Sequence, residues 1–262
     1  MKRLSLILGI MTMGILASCS TDEFDTNTTD TMDDAKLNVK GVLLKRIVVT
    51  VNGGTTVTTS DYLYNGSKLS RINSSDGTYV TYTYTGNLIS ERTFYYNGTL
   101  NTREIFEYNA NEQLINYKRL NASNAILFST VYQYNSDGTI SVAGYKGSTQ
   151  TASTQTVNRK VFLLNGQVSK IENYTISNGT AVTETLNYAF DTKNSPFKDI
   201  LGFDKLTYYD MALNGNARNV TGITTVGATL ANSGNDVVQY TYNAQNYPVT
   251  ANKGSIVFQY FY

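Results

Sequence analysis

The sequence predicts an all-β fold: an antiparallel meander of β-hairpins curled into an open sheet or a barrel-like shell. Three observations carry that expectation. The first is usage, with 21 tyrosines and only 2 prolines in 262 residues and an abundance of Thr, Asn, Val and Gly, the composition of pleated sheet joined by tight turns. The second is alternation, since stretches such as Tyr62-Leu63-Tyr64 and Tyr82-Thr83-Tyr84 place like residues on one face of an extended chain. The third is a recurring unit, seen in full as Val131-Tyr132-Gln133-Tyr134-Asn135-Ser136-Asp137-Gly138-Thr139-Ile140, which reads as strand, turn, strand.

The chain opens with a segment of different character. Lys2 and Arg3 precede an apolar core from Leu4 to Leu16 that ends in Leu16-Ala17-Ser18-Cys19. That core falls short of the roughly 20 residues a spanning helix needs, so residues 1–18 read as a signal peptide. The last four residues resemble the lipobox of bacterial lipoproteins. The resemblance implies cleavage between Ser18 and Cys19 and lipidation of Cys19, the sole cysteine. At about 0.8 kcal/mol per buried methylene, two or three acyl chains hold a protein on a membrane where one does so marginally.

Residues 19–40 follow as a lipid anchor and acidic tether, with Asp22, Glu23, Asp25, Asp30, Asp33 and Asp34 among few apolar residues, a composition that cannot order itself by burial. Ser20-Thr21-Asp22-Glu23 resembles the surface-export signal of Bacteroidota lipoproteins, with an acidic periplasmic linker as the alternative. Asp30-Thr31-Met32 resembles an O-glycosylation triplet of the same bacteria, which makes Thr31 the candidate acceptor.

From Gly41 to Tyr262 the pattern is that of one β domain. Leu43 to Val51 is a strand by its β-branched run, and Asn52-Gly53-Gly54 the first turn. The unit then recurs with pre-turn positions 64, 84, 108, 134, 164, 190 and 242, mostly 20 to 30 residues apart, room for two strands and two turns. Alternate turns fall at Ser75-Asp76-Gly77, Asn97-Gly98 and Ser177-Asn178-Gly179. Asn246 takes the glycine place of its copy and tolerates positive φ; Glu112 does so less cheaply. Asn194-Ser195-Pro196-Phe197 breaks the rhythm, and residues 196–218 lack alternation, so a short helix or packed loop is expected there, plugging one end of the sheet.

The run from Tyr134 to Ile140 resembles the YD repeat, Tyr-Asp-x-x-Gly-x-Leu/Ile, of bacterial wall-associated shell proteins. The chain is more similar still to small Bacteroidota surface lipoproteins with degenerate Tyr-x-Tyr-Asx repeats and an Asn-x-Pro-Phe insertion, families of undefined activity of which some are described as porin-like. Only Asp191 keeps the aspartate of the repeat. The resemblance implies a repeat-built β fold and an outer-membrane, cell-surface setting, and no catalytic residue.

Composition excludes several chemistries. With no histidine and Cys19 alone, there is no Ser-His-Asp or Cys-His machinery, no histidine metal site and no internal disulfide. A net charge of +1 gives no basic stripe for nucleic acid. Asp76-Gly77 and Asp137-Gly138 lack the further oxygen ligands of a calcium loop, and no cofactor is expected. A glycosidase carboxylate pair is defined by separation in space, which sequence spacing does not give. The candidate binding face is aromatic: Tyr62, Tyr64, Tyr82, Tyr84, Tyr132, Tyr134, Tyr240 and Tyr242 could stack on sugars, although cross-strand pairing accounts for such ladders at about 0.2 to 1 kcal/mol a pair. The expectation is thus a non-enzymatic, lipid-anchored binding or scaffold module, its partners the membrane and a glycan or envelope protein. An integral porin-like barrel is the alternative and a glycoside hydrolase the third reading. The aromatic terminal strand, Phe258, Tyr260 and Tyr262, fits the barrel alternative.

Overall fold

The computed structural model describes residues 41–176, 179, 181–206, 215–227 and 233–262; the signal segment, Cys19, the acidic tether and Thr31 lie outside the described residues. Among the described residues the β-rich pattern resolves into seventeen strands. The first nine are β1 (Arg46–Val51), β2 (Thr56–Asn65), β3 (Lys68–Ser74), β4 (Thr78–Thr85), β5 (Leu88–Tyr96), β6 (Thr99–Tyr108), β7 (Leu114–Asn121), β8 (Ile126–Tyr134) and β9 (Ile140–Lys146). The others are β10 (Gln155–Leu164), β11 (Gln167–Tyr174), β12 (Val182–Phe190), β13 (Val220–Gly227), β14 (Gly234–Val237), β15 (Gln239–Tyr242), β16 (Pro248–Lys253) and β17 (Ile256–Phe261).

From β1 to β14 every strand pairs antiparallel with the next, and β15, β16 and β17 continue the meander. β1 also pairs with β17, Ile47 opposite Tyr260 and Val49 opposite Phe258, so the sheet curls back on itself. β14 and β15 are separated only by Val238, the first pairing with β13 and the second with β16. The result is a nearly closed barrel, the shell-like form of the two shapes the sequence allows.

The repeat has a mechanical meaning. At three of the repeat's turns the returning strand leaves one residue unpaired, because the register shifts between Leu63 and Tyr64, between Thr83 and Tyr84, and between Phe162 and Leu163, whereas the copy at Tyr134 pairs regularly with Ile140. The unpaired residues are Ser70, Ser90 and Ser169, whose hydroxyls donate to the carbonyls of Leu63, Thr83 and Phe162 at 2.9, 3.3 and 3.1 Å. Each bulge bends its strand and adds twist, which helps the sheet to curl. The pre-turn tyrosine then reaches back one hairpin: Tyr64, Tyr108 and Tyr134 donate to the carbonyls of Leu44, Ile89 and Leu114 at 2.6, 2.8 and 3.1 Å.

The asparagine after that tyrosine also has a specific task. Asn109 Oδ1 accepts the backbone N–H groups of Asn111 and Gln113, and Asn243 Oδ1 those of Gln245 and Tyr247. These wider turns need a left-handed residue near their end, supplied by Glu112 (φ 58°) and Asn246 (φ 64°). Glu112 therefore adopts the conformation that its side chain makes costly.

The segment after β12 caps the end of the barrel that carries these turns. Its described residues form tight turns and one 3₁₀ piece, Phe203–Leu206, and bury Phe197, Ile200, Phe203 and Leu206. Phe197 lies 6.4 Å from the ring of Tyr62 and 6.0 Å from that of Phe203, which in turn lies 6.1 Å from Tyr82. The expected plug is therefore real over its described residues.

The plug is fastened to several hairpins. Leu201 N donates to Ser67 O, Arg218 N to Gln167 Oε1, and Lys193 Nζ to Asn246 Oδ1. Gly202, at φ 81°, sits so close to the β4–β5 turn that a Cβ there would lie 2.8 Å from the carbonyl oxygen of Asn87. Asp199 binds Val42 N and the hydroxyl of Tyr247, so the chain enters the domain at this plugged end.

Candidate functional site

The two faces of the wall differ in chemistry. Inward positions in the plugged half are apolar and aromatic, with Leu44, Leu69, Ile89, Leu114, Ile140 and Val168 fully buried. Toward the opposite, open end the inward row turns polar: Arg92 lies opposite Glu104, Glu104 opposite Arg119, Arg119 opposite Phe128, and Phe128 opposite Lys146. A second inward row runs from Val142 to Arg159, Asn173 and Glu184. Lys253 and Asp236 pair at 3.1 Å near the same end.

Three strands build the best-satisfied charge group. Arg92 from β5 places Nε and Nη2 at 2.9 and 2.5 Å from Glu104 Oε2 of β6, while Tyr117 of β7 donates to Glu104 Oε1 at 2.8 Å. The Arg92 guanidinium also lies 5.4 Å from the Phe94 ring centroid and 5.7 Å from that of Phe106. Burial, reinforced by the Glu104 charge, pushes the Tyr117 hydroxyl far above its ordinary range, so it stays a neutral donor. Glu104 is thus held by a cation and a hydroxyl, an arrangement that orders the interior and offers no free general base.

Arg159 is different. Among the described residues it has no hydrogen-bond or ion-pair partner, and its Nε is fully enclosed. Burial holds its guanidinium below the ordinary value, opposed by the nearby Tyr132, Tyr188 and Glu184. Glu184 instead accepts from Asn173 Nδ2 at 2.9 Å. Arg119 and Lys146, although on inward rows, are exposed, so water reaches this mouth.

The eight candidate tyrosines all face inward. Tyr132 is buried, and Tyr62, Tyr64, Tyr82, Tyr84, Tyr134 and Tyr240 pack partly buried against the core. Tyr84, Tyr240 and Tyr242 spend their hydroxyls on Leu201 O, Val220 O and the Asp191 carboxylate. They line the inside of the barrel and present no ladder on its outer surface. An aromatic pair stands on the outer wall, where Tyr95, a further member of the tyrosine-rich strands, stacks on Tyr79 at 4.5 Å with the Arg71 guanidinium 3.8 Å from the Tyr79 ring. Among the described residues no cluster of three or more His, Cys, Asp or Glu side chains is placed to hold a metal ion.

The outer wall is crossed by charged pairs. Glu91–Arg103 closes at 2.7 Å, Glu107–Lys118 at 2.5 Å and Glu172–Lys170 at 2.7 Å, with Lys160 reaching Asp137 at 2.9 Å. Its exposed apolar residues, such as Val57, Leu63, Leu127 and Val226, are scattered among threonines and charges.

No family model matches the chain, and no curated protein matches it. Among solved structures it is similar to a porin-like protein from Bacteroides vulgatus ATCC 8482, at 15% identity and a TM-score of 0.49, over 85% of this chain and 99% of that one. It is also similar to a porin-like protein from Bacteroides uniformis ATCC 8492, at 12% identity and a TM-score of 0.40, over 83% of this chain and 97% of that one. Neither likeness carries an activity across.

Proposed function

We propose that this chain is a non-enzymatic envelope module, held on the outer membrane by lipid on Cys19, whose barrel stands in water and binds a glycan or envelope protein through its open end. The observation that supports it is the outer wall. A membrane-spanning barrel turns an apolar band outward, and each Lys or Arg at mid-height of that band costs about 2–4 kcal/mol. Here Arg103, Lys118, Lys160 and Lys170 point outward with their carboxylate partners, while Ile, Leu, Val and Tyr fill the inside. The tether joins at the plugged end, through Gly41 and Val42 beside Asp199, which keeps the attachment point clear of the open mouth.

A porin-like barrel inserted in the outer membrane is the second reading. Near-closure favours it, because pairing β1 with β17 satisfies the backbone groups that lipid would leave bare. Fractionation separates the two. With Cys19→Ser, the tethered module is expected in the soluble fraction without detergent, whereas persistence in the membrane pellet after carbonate washing would establish the inserted barrel. Protease shaving of intact cells then reports whether the wild-type domain faces outward, and a polysaccharide turnover panel is expected to give no product.

A further inference from the structure

Arg159 faces the barrel interior half-buried, with its Nε fully enclosed and without a hydrogen-bond partner among the described residues. Its surroundings do not supply one. Opposite it stand Val142 and Asn173, and the neighbouring Glu184 carboxylate is engaged by that asparagine. A guanidinium nitrogen held away from water without an acceptor is costly, and the nearby Glu184 charge offsets burial only in part, since no hydrogen bond joins it to Arg159. Above it, Arg119 and Lys146 lie on the inward row at the mouth, exposed and likewise without a carboxylate partner among the described residues. Arg92 adds no free charge because Glu104 neutralises it. Against Glu104, Glu184 and Asp236, the inward rows at this end set Arg92, Arg119, Lys146, Arg159 and Lys253, so the mouth carries a positive surplus that leads inward to the Arg159 Nε, and a concave surface with a net charge concentrates ions of the opposite sign.

We infer that the open end of the barrel is a receptor for an oxyanion, a carboxylate, phosphate or sulfate group borne by a small molecule or by a glycan, seated on Arg159 and drawn in by Arg119 and Lys146. The guanidinium presents a donor fork suited to paired oxygens, and the Tyr132 and Tyr188 rings nearby offer apolar walls to the body that carries the anion. The inference rests on reading the barrel as a binding module, but it concerns the mouth alone and does not depend on the lipid.

The full chain with Cys19→Ser is titrated calorimetrically, and melted, with sodium phosphate, sodium sulfate and sodium glucuronate against sodium chloride at equal ionic strength. At least one oxyanion is expected to bind saturably and raise Tm beyond the chloride control. Arg159→Met should weaken that binding at least tenfold while raising the ion-free Tm. The rim variant Arg119→Gln with Lys146→Gln, altered only at exposed positions, should weaken it severalfold and flatten its dependence on salt. Preference for glucuronate over phosphate would identify an acidic sugar as the source of the group, and the reverse a phosphorylated one. Equal Tm shifts in the parent and Arg159→Met chains would mark a general salt effect and overturn the site, as would no saturable binding of any of the three anions. Should the Arg159→Met chain fail to fold, unchanged binding in the rim variant overturns the proposal by itself. If the Cys19→Ser chain proves to need detergent, the water-facing reading fails, and the same titration in detergent still decides the mouth.

Discussion

At the scale of single residues, the interior and outer charges differ in what their loss does. Glu104 sits between Arg92 and Tyr117 with 7% of its side chain exposed, so Glu104→Ala strands an enclosed guanidinium. Urea unfolding should show a loss of about 3–5 kcal/mol. Glu91, on the outer wall, also pairs with an arginine, and the Arg103 guanidinium holds its carboxyl below the usual range. Water screens that pair, and Glu91→Ala should cost no more than about 1 kcal/mol. Comparable losses at the two positions would mean that the interior pair is better hydrated than its burial implies. The repeat tyrosines act through their hydroxyls as well as their rings. Tyr134→Phe keeps the packing and removes the bond to the Leu114 carbonyl, a change of about 1 kcal/mol that a thermal melt resolves as a drop of a few degrees.

At the scale of elements, the hairpin and the plug are coupled. Tyrosines at these turns are tied to earlier hairpins, whether the hairpin end is bulged, as at Tyr64 and Tyr108, or regular, as at Tyr134, so the turn layer is bonded around the barrel wall. The plug is fastened to that layer by Leu201, Gly202, Arg218 and Asp199. Gly202→Ala places a methyl group against the Asn87 carbonyl and forces an L residue to a φ of 81°, which together cost more than about 1 kcal/mol. The damage should be local first. Hydrogen exchange of the Leu201 amide, bonded to Ser67 O, is expected to accelerate well before that of β4 and β5, and uniform acceleration would show that plug and wall unfold as one unit.

At the scale of the whole molecule, the tyrosine-lined interior sets the response to alkali. Burial raises the hydroxyls of Tyr62, Tyr64, Tyr188, Tyr240 and Tyr260 above their ordinary value. Below about pH 10 these groups are neutral in folded and unfolded chains alike, and their stabilising difference is fully present. Above it the unfolded chain loses protons first, so stability falls as pH rises, by about 1.4 kcal/mol per pH unit for each such tyrosine. Several acting together make the transition steep. Absorbance of tyrosinate and circular dichroism should therefore change together just above pH 10; gradual ionisation with the fold intact would mean that the interior is open to hydroxide.

The strands, the turns, the interruption at Asn194 and the lack of histidine chemistry were legible in the chain itself, because alternation, positive-φ residues and composition are local properties. The same locality limited the reading. Alternation defines two faces without saying which becomes concave, so the tyrosine face read as a candidate ligand surface proved to be the inner lining. The bulges hid in plain residues: Ser70, Ser90 and Ser169, each following the fully buried residue after its turn, Leu69, Ile89 or Val168, are the signal that would have revealed them. Closure brings β1 to β17 across almost the whole domain, and the group of Arg92, Glu104 and Tyr117 draws one residue from each of three strands. Arg159 reads as an ordinary strand residue until the sheet has curled around it. The chain by itself determined how each hairpin is made, since that energy is spent between neighbours. The tertiary structure alone decided which charges lose water and which keep it, since burial belongs to the closed wall as a whole.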